Sequence, residues 1–80
     1  MSKQRFLFIC PMADKDCDPQ EVARRLKATG FELNQGVLVI PAAYLMAIDA
    51  SEDAAMSVYS ALRKDNIKVI LVNASQAVTM

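Results

Sequence analysis

Four short apolar runs constrain this chain most: Phe6 to Cys10, Val37 to Ile40, Tyr44 to Ile48 and Val69 to Val72. None alternates with polar residues, so each reads as a strand that wants cover on both faces. The chain has 80 residues, 54% of them hydrophobic. That length allows a single domain, residues 1–80, with no linker, repeat or low-complexity tract. A domain so small buries only ~60% of the surface of its unfolded chain. The apolar excess therefore points to burial against something outside the monomer.

The segments between the runs are ordinary amphipathic helices. In DPQEVARRLKATGF, Asp18 is an N-cap, Pro19 fills the first helical position and Glu21 completes a capping box. Val22, Ala23 and Leu26 form the buried stripe, Gly30 closes the helix, and Phe31 folds back onto Leu26. The second helix starts at Asp49 with Glu52, or at Ser51 with Asp53 behind it. Its stripe is Ala55, Val58 and Leu62, and it ends at Lys64, Asp65 and Asn66. The tail SQAVTM reads as frayed or as an edge extension.

Tyr44 to Ile48 suits either period, as a strand in a hairpin around Pro41 or as the start of a longer helix. The fresh helix start just after it favours the strand. The order is then βαββαβ, an α+β ferredoxin-like plan with two helices on one face of a four-stranded sheet. The alternative, with residues 41–64 as one interrupted helix, is a three-stranded parallel, flavodoxin-like sheet. Two helices cover one sheet face only. The other is expected to expose Phe6 or Leu7, Val37 or Leu38, Leu45 or Met46, and Ile70 or Leu71, and to carry a homodimer interface or a required protein partner, with Phe8, Leu38, Leu45, Met46 and Leu71 as its residues.

Several classes of chemistry drop out. The chain has no histidine, which removes Ser-His-Asp and Cys-His nucleophiles and imidazole metal sites. Nine basic and nine acidic residues balance, which argues against nonspecific binding to nucleic acid or acidic membranes. No phosphate-binding glycine motif or nucleophile elbow occurs, and the two glycines cannot build a phosphate cradle. No apolar run reaches the ~18 residues of a membrane span, and Phe6 to Cys10 is shorter than the core of a signal peptide. The chain therefore reads as cytoplasmic, with Cys10 and Cys17 expected as free thiols. Cys10 is a small hydrophobe in a strand, and Cys17 lies between Asp16 and Asp18, whose charges disfavour a thiolate.

One loop could hold chemistry. Asp14, Asp16 and Asp18 alternate like the opening of a calcium loop, but Pro19 stands where that loop needs glycine and Arg25 where it needs glutamate. Asp18 is committed to capping. Asp14 and Asp16 remain the candidates for a catalytic or metal role, toward magnesium or manganese. No other cofactor is expected. Arg24, Arg25 and Lys27, without aromatic neighbours, read as the wet face of the first helix.

The stretch GFELNQGVLV, entered from RRLKA and followed by EDAAMSVYSALRKD, carries a pattern of Gly30-Phe31, Gln35-Gly36 and Leu38. This resembles the virulence-associated protein D family and the related small subunit of the CRISPR spacer-integration complex. The resemblance covers about residues 5–72 in element order and only those few positions in identity. It implies a ferredoxin-like homodimer and, in some members, metal-dependent endoribonuclease activity. In those members an aspartate at the end of the first strand meets its mate at the dimer interface. Here the aligned position is Cys10, and the nearest aspartate is Asp14, beyond Pro11.

Three functions fit this reading. The preferred one is a non-enzymatic, homodimeric interaction or regulatory module of the kind carried by mobile elements, toxin–antitoxin systems among them. The second is a toxin-type ribonuclease that uses Mg or Mn at Asp14 and Asp16 and binds RNA. The third is a small-ligand-binding regulatory domain, argued from the fold alone.

Overall fold

The computed structural model describes residues 3–77. Its elements are β1 (Gln4–Pro11), α1 (Pro19–Ala28), β2 (Asn34–Ile40), β3 (Ala43–Ala50), α2 (Glu52–Lys64), β4 (Ile70–Asn73) and a terminal turn, α3 (Ala74–Ala77). The tail expected to fray thus begins in a helical turn, and its residues 78–80 lie outside the described ones. The sheet order is β2-β3-β1-β4, with every neighbouring pair antiparallel. This is an α+β fold with the ferredoxin-like element order. Among the described residues no helix is long and apolar enough to cross a membrane.

The ambiguous segment is a strand. Pro41 and Ala42 form a two-residue turn that sets Ile40 opposite Ala43, so residues 44–48 run back along β2 and then pair with β1. A central strand between two neighbours satisfies more backbone than a helix start could, and the flavodoxin-like alternative falls away. Ala42 takes a φ of +71°, a left-handed conformation that costs an L-residue with a Cβ roughly 1–2 kcal/mol. Its carbonyl also accepts from Met12 N–H at 2.9 Å, tying the hairpin to the end of β1. Ala42 is exposed and loses no packing, so Ala42→Gly is expected to stabilise the fold by about 0.5–1 kcal/mol. The check is a higher urea midpoint with an unchanged slope.

The helix ends follow the sequence closely. The Asp18 carboxylate accepts from Gln20 N–H at 3.0 Å, and Pro19 opens α1. Glu21 does not complete a capping box. Its carboxylate turns along the helix to Arg24, whose Nε donates to it at 3.0 Å. That charge-assisted contact lowers the Glu21 pKa below its ordinary value. Gly30, at φ +107°, lets Phe31 N–H reach the Leu26 carbonyl at 3.1 Å and close the helix. In α2 the two possible starts resolve to Ser51, whose hydroxyl accepts from Ala54 N–H at 3.2 Å, while Asp49 stays in β3. Asn66 at φ +65° ends it, with Ile67 N–H donating to the Leu62 carbonyl at 3.0 Å.

Both helices lie on the same side of the sheet. Phe6, Phe8 and Cys10 of β1 and Met46 and Ile48 of β3 face Val22 and Leu26 of α1 and Ala55, Val58 and Leu62 of α2. Val69, just before β4, is buried with them, and no polar side chain among the described residues is.

Candidate interaction surface

The acidic loop leaves β1 at Pro11 and is fastened from inside. Cys10 and Cys17 form a disulfide, not the free thiols expected, and both sulfurs sit in the core. A turn makes this possible: Asp14 N–H donates to the Pro11 carbonyl at 3.2 Å and Cys17 N–H to the Asp14 carbonyl at 3.4 Å, folding the chain back on the end of β1. The carboxylates between are engaged. The Asp14 side chain accepts from Asp16 N–H at 2.9 Å, and Asp16 pairs with Lys68 at 3.5 Å. The loop uses its acids as turn and ion-pair groups, and no cluster of three His, Cys, Asp or Glu side chains suited to a metal ion occurs among the described residues. The basic residues of α1 are likewise occupied in part: Arg24 binds Glu21, and Arg25 binds Asp65 at 2.7 Å.

The apolar excess lies on the uncovered side of the sheet. Strand side chains alternate between faces, so the register identifies that side. Leu7 and Ile9 of β1 stand beside Ala47 and Leu45 of β3 and Val72 and Ile70 of β4, with Leu38 and Ile40 of β2 continuing the row. Leu38, Ile40 and Ile70 are exposed, Ile70 to 46% of its surface. One end of the patch carries a charged pair: Arg5 Nε donates to Asp49 at 2.7 Å across β1 and β3. That hydrogen bond holds the Asp49 carboxyl below its ordinary pKa and raises that of Arg5.

Of the five residues assigned to the interface from sequence, Leu38 and Leu45 belong to this face and Phe8, Met46 and Leu71 do not. Phe8 and Met46 pair with each other on the helix side and are completely buried. Leu71 is opposite Phe8 and packs against the same core. The physical reason is the strand period of two: Leu45 and Met46, being consecutive, cannot share a face. From sequence Leu7 and Ile70 stand only as alternatives to Phe6 and Leu71, and Ile9, Ile40 and Val72 go unnamed, although the sequence holds a signal for most of this face. A charged side chain will not go under the helices, so Arg5, Asp49 and Lys68 mark the wet parity of their strands. Counting by twos from them gives Leu7 and Ile9, Ala47 and Leu45, and Ile70 and Val72.

β2 is barer still. It is an edge strand, bonded only to β3, and Val37, Leu38, Val39 and Ile40 are all exposed, Val39 to 67%. The other concavity of note is an open hollow of about 850 Å³, lined by residues that include Phe31, Asn34, Gln35, Asp49 and Ser51. With no buried polar group in its walls, it offers little to orient a small ligand.

No family model matches the chain, and no curated protein or solved structure is measurably similar to it. The likeness to the virulence-associated protein D family stays with the few residues that suggested it.

Proposed function

We propose that this chain is a non-enzymatic regulatory module that works through protein–protein contact, as a homodimer packed through the open sheet face. The observation that carries this reading is the continuous apolar row from Leu38 through Leu45 and Ile9 to Ile70, exposed at Leu38 and Ile70 and half-buried between them. Contiguous apolar patches of this kind on small soluble chains mark interaction sites, and each such side chain stabilises by ~1.5–3 kcal/mol when fully buried. A self-complementary patch on a twofold axis is the commonest way to cover one. The Arg5–Asp49 pair at its end supplies a polar rim. The engagement of Asp14 in a turn of its own loop and of Asp16 with Lys68 favours binding over metal-dependent RNA cleavage.

The test is solution mass by light scattering across a concentration series kept in the micromolar range. The expected result is twice the chain's 8.8 kDa for the native protein. Ile70→Lys, which touches only the exposed face, is expected to return the chain mass with an unchanged circular dichroism spectrum. A monodisperse native monomer at every concentration overturns the dimer. Magnesium- or manganese-dependent cleavage of RNA, lost in both Asp14→Asn and Asp16→Asn, overturns the non-enzymatic reading.

A further inference from the structure

The rim of the sheet carries a second surface, distinct from its open face. Residues 33–48 contain no charged side chain, so the hairpin of β2 and β3 lacks the lysines with which edge strands usually repel one another. The two-residue turn fixes which backbone groups of β2 are unpaired. Ile40 and Ala43 flank the turn as a hydrogen-bonded pair, and bonded and non-bonded pairs alternate along an antiparallel ladder. Leu38 is therefore bonded to Leu45, whereas Val37 and Val39 direct their N–H and C=O groups away from β3, out of the sheet. This outward row is closed at both ends. On one side stands Pro41, which has no N–H, and on the other the irregularity at Gln35 and Gly36, both with positive φ.

We infer that β2 pairs with β2 of a second copy, antiparallel about a twofold axis at Leu38, so that the two sheets run on as one. Of the registers open to a bounded row with two bonding residues, this is the one that leaves no outward group over. Val37 of each copy faces Val39 of the other, giving four backbone hydrogen bonds, and Leu38 faces its own mate. A shift toward Gln35 sets Val39 against a residue in left-handed conformation, and a shift toward Pro41 sets Val37 against a missing donor. The fit is thus to a neutral strand with the same two-residue bonding row, and this chain supplies one. Side chains agree: Leu38 meets Leu38 on the open face, where non-bonded pairs approach most closely, and the valines meet on the other. The contact uses the rim and the dimer proposed above uses the face, so it does not rest on that reading.

Amide hydrogen exchange read residue by residue tests the pairing. In the native chain the Val37 and Val39 amides are expected to exchange at least about tenfold more slowly at millimolar than at micromolar concentration. Val39→Lys places a charge on an already exposed side chain and is expected to abolish that dependence while the β2–β3 amide of Leu38 stays protected. Ile70→Lys, which disrupts only the open face, is expected to leave it intact. Failure of the face dimer and of the rim pairing are thereby read separately. Fast exchange of both valine amides at every concentration overturns the inference. So does slow exchange that is independent of concentration, or protection that arises only when an extract containing other proteins is added.

Discussion

Phe8→Ala is expected to unfold most of this protein. Phe8 is completely buried at the centre of the sheet, opposite Met46 on one side and Leu71 on the other. Truncating a phenylalanine in such a place costs about 3–5 kcal/mol, through lost transfer energy and the cavity left behind. A domain of this length holds only about 4–12 kcal/mol in total, at ~0.05–0.15 kcal/mol per residue. The substitution consumes a large part of that reserve, and a β1 with a hole in it has neighbours on both sides that cannot close in. The prediction separates core from interface. Were Phe8 a contact between copies, its truncation would lower the solution mass and leave the chain's own unfolding nearly unchanged. The core position requires the opposite order: far-ultraviolet circular dichroism and the urea midpoint fall first, at concentrations where the native chain is fully folded. Ile70→Ala is the companion, since Ile70 is half exposed on the open face. It is expected to leave the urea midpoint of the isolated chain within about 0.5 kcal/mol of native, as surface changes do.

The pair also shows where sequence reading worked and where it could not. Asp18, Pro19, Gly30 and Phe31 announced α1 because caps and left-handed ends are local requirements, met within a few residues. The strands announced themselves by apolar runs, yet the same runs hid their orientation. A strand with polar alternation declares its faces, whereas FLFIC is apolar on both, and Phe8 and Leu7 look equally fit for either side. Only the register, or the parity of Arg5 at its end, distinguishes them. Glu21 stood at the right spacing for a capping box, but Arg24 one turn on offers a charged partner where the backbone offers a neutral one. The edge character of β2 was invisible for a different reason. Whether a strand has one neighbour or two is a property of the whole topology, set here by β4 taking the place beside β1.

Reducing the Cys10–Cys17 bond is expected to lower stability by about 2–3 kcal/mol, the second large effect. The bridge joins residues seven apart and so closes a loop of eight. Loop-closure entropy for a ring that short is worth about 2.5 kcal/mol, drawn from the freedom the unfolded chain loses. The loss has little to compensate it in the folded state, because the other side-chain tie on this loop, the Asp16–Lys68 ion pair, is exposed and weak. Spacing alone could not have disclosed the bond. Two cysteines flanking PMADKD read as a strand residue and a loop residue, and they meet only because the chain doubles back at Pro11. Both sulfurs are buried, so a dithiol reaches them through local opening of this loop, and a few kcal/mol decides how often that occurs. Urea unfolding of the native chain with and without a dithiol reductant is the measurement, with Cys10→Ala/Cys17→Ala as the reductant-independent form. The expected result is a lower midpoint for the reduced and the doubly substituted chains alike. Two free thiols titrating in the untreated protein, with coincident unfolding curves, defeats the prediction. The outcome bears on where the chain works, because reducing compartments keep such bonds open and oxidising ones keep them closed. A cytoplasmic chain would then live in the less stable form, with the loop of Asp14 and Asp16 held by its turn hydrogen bonds and the Asp16–Lys68 pair alone.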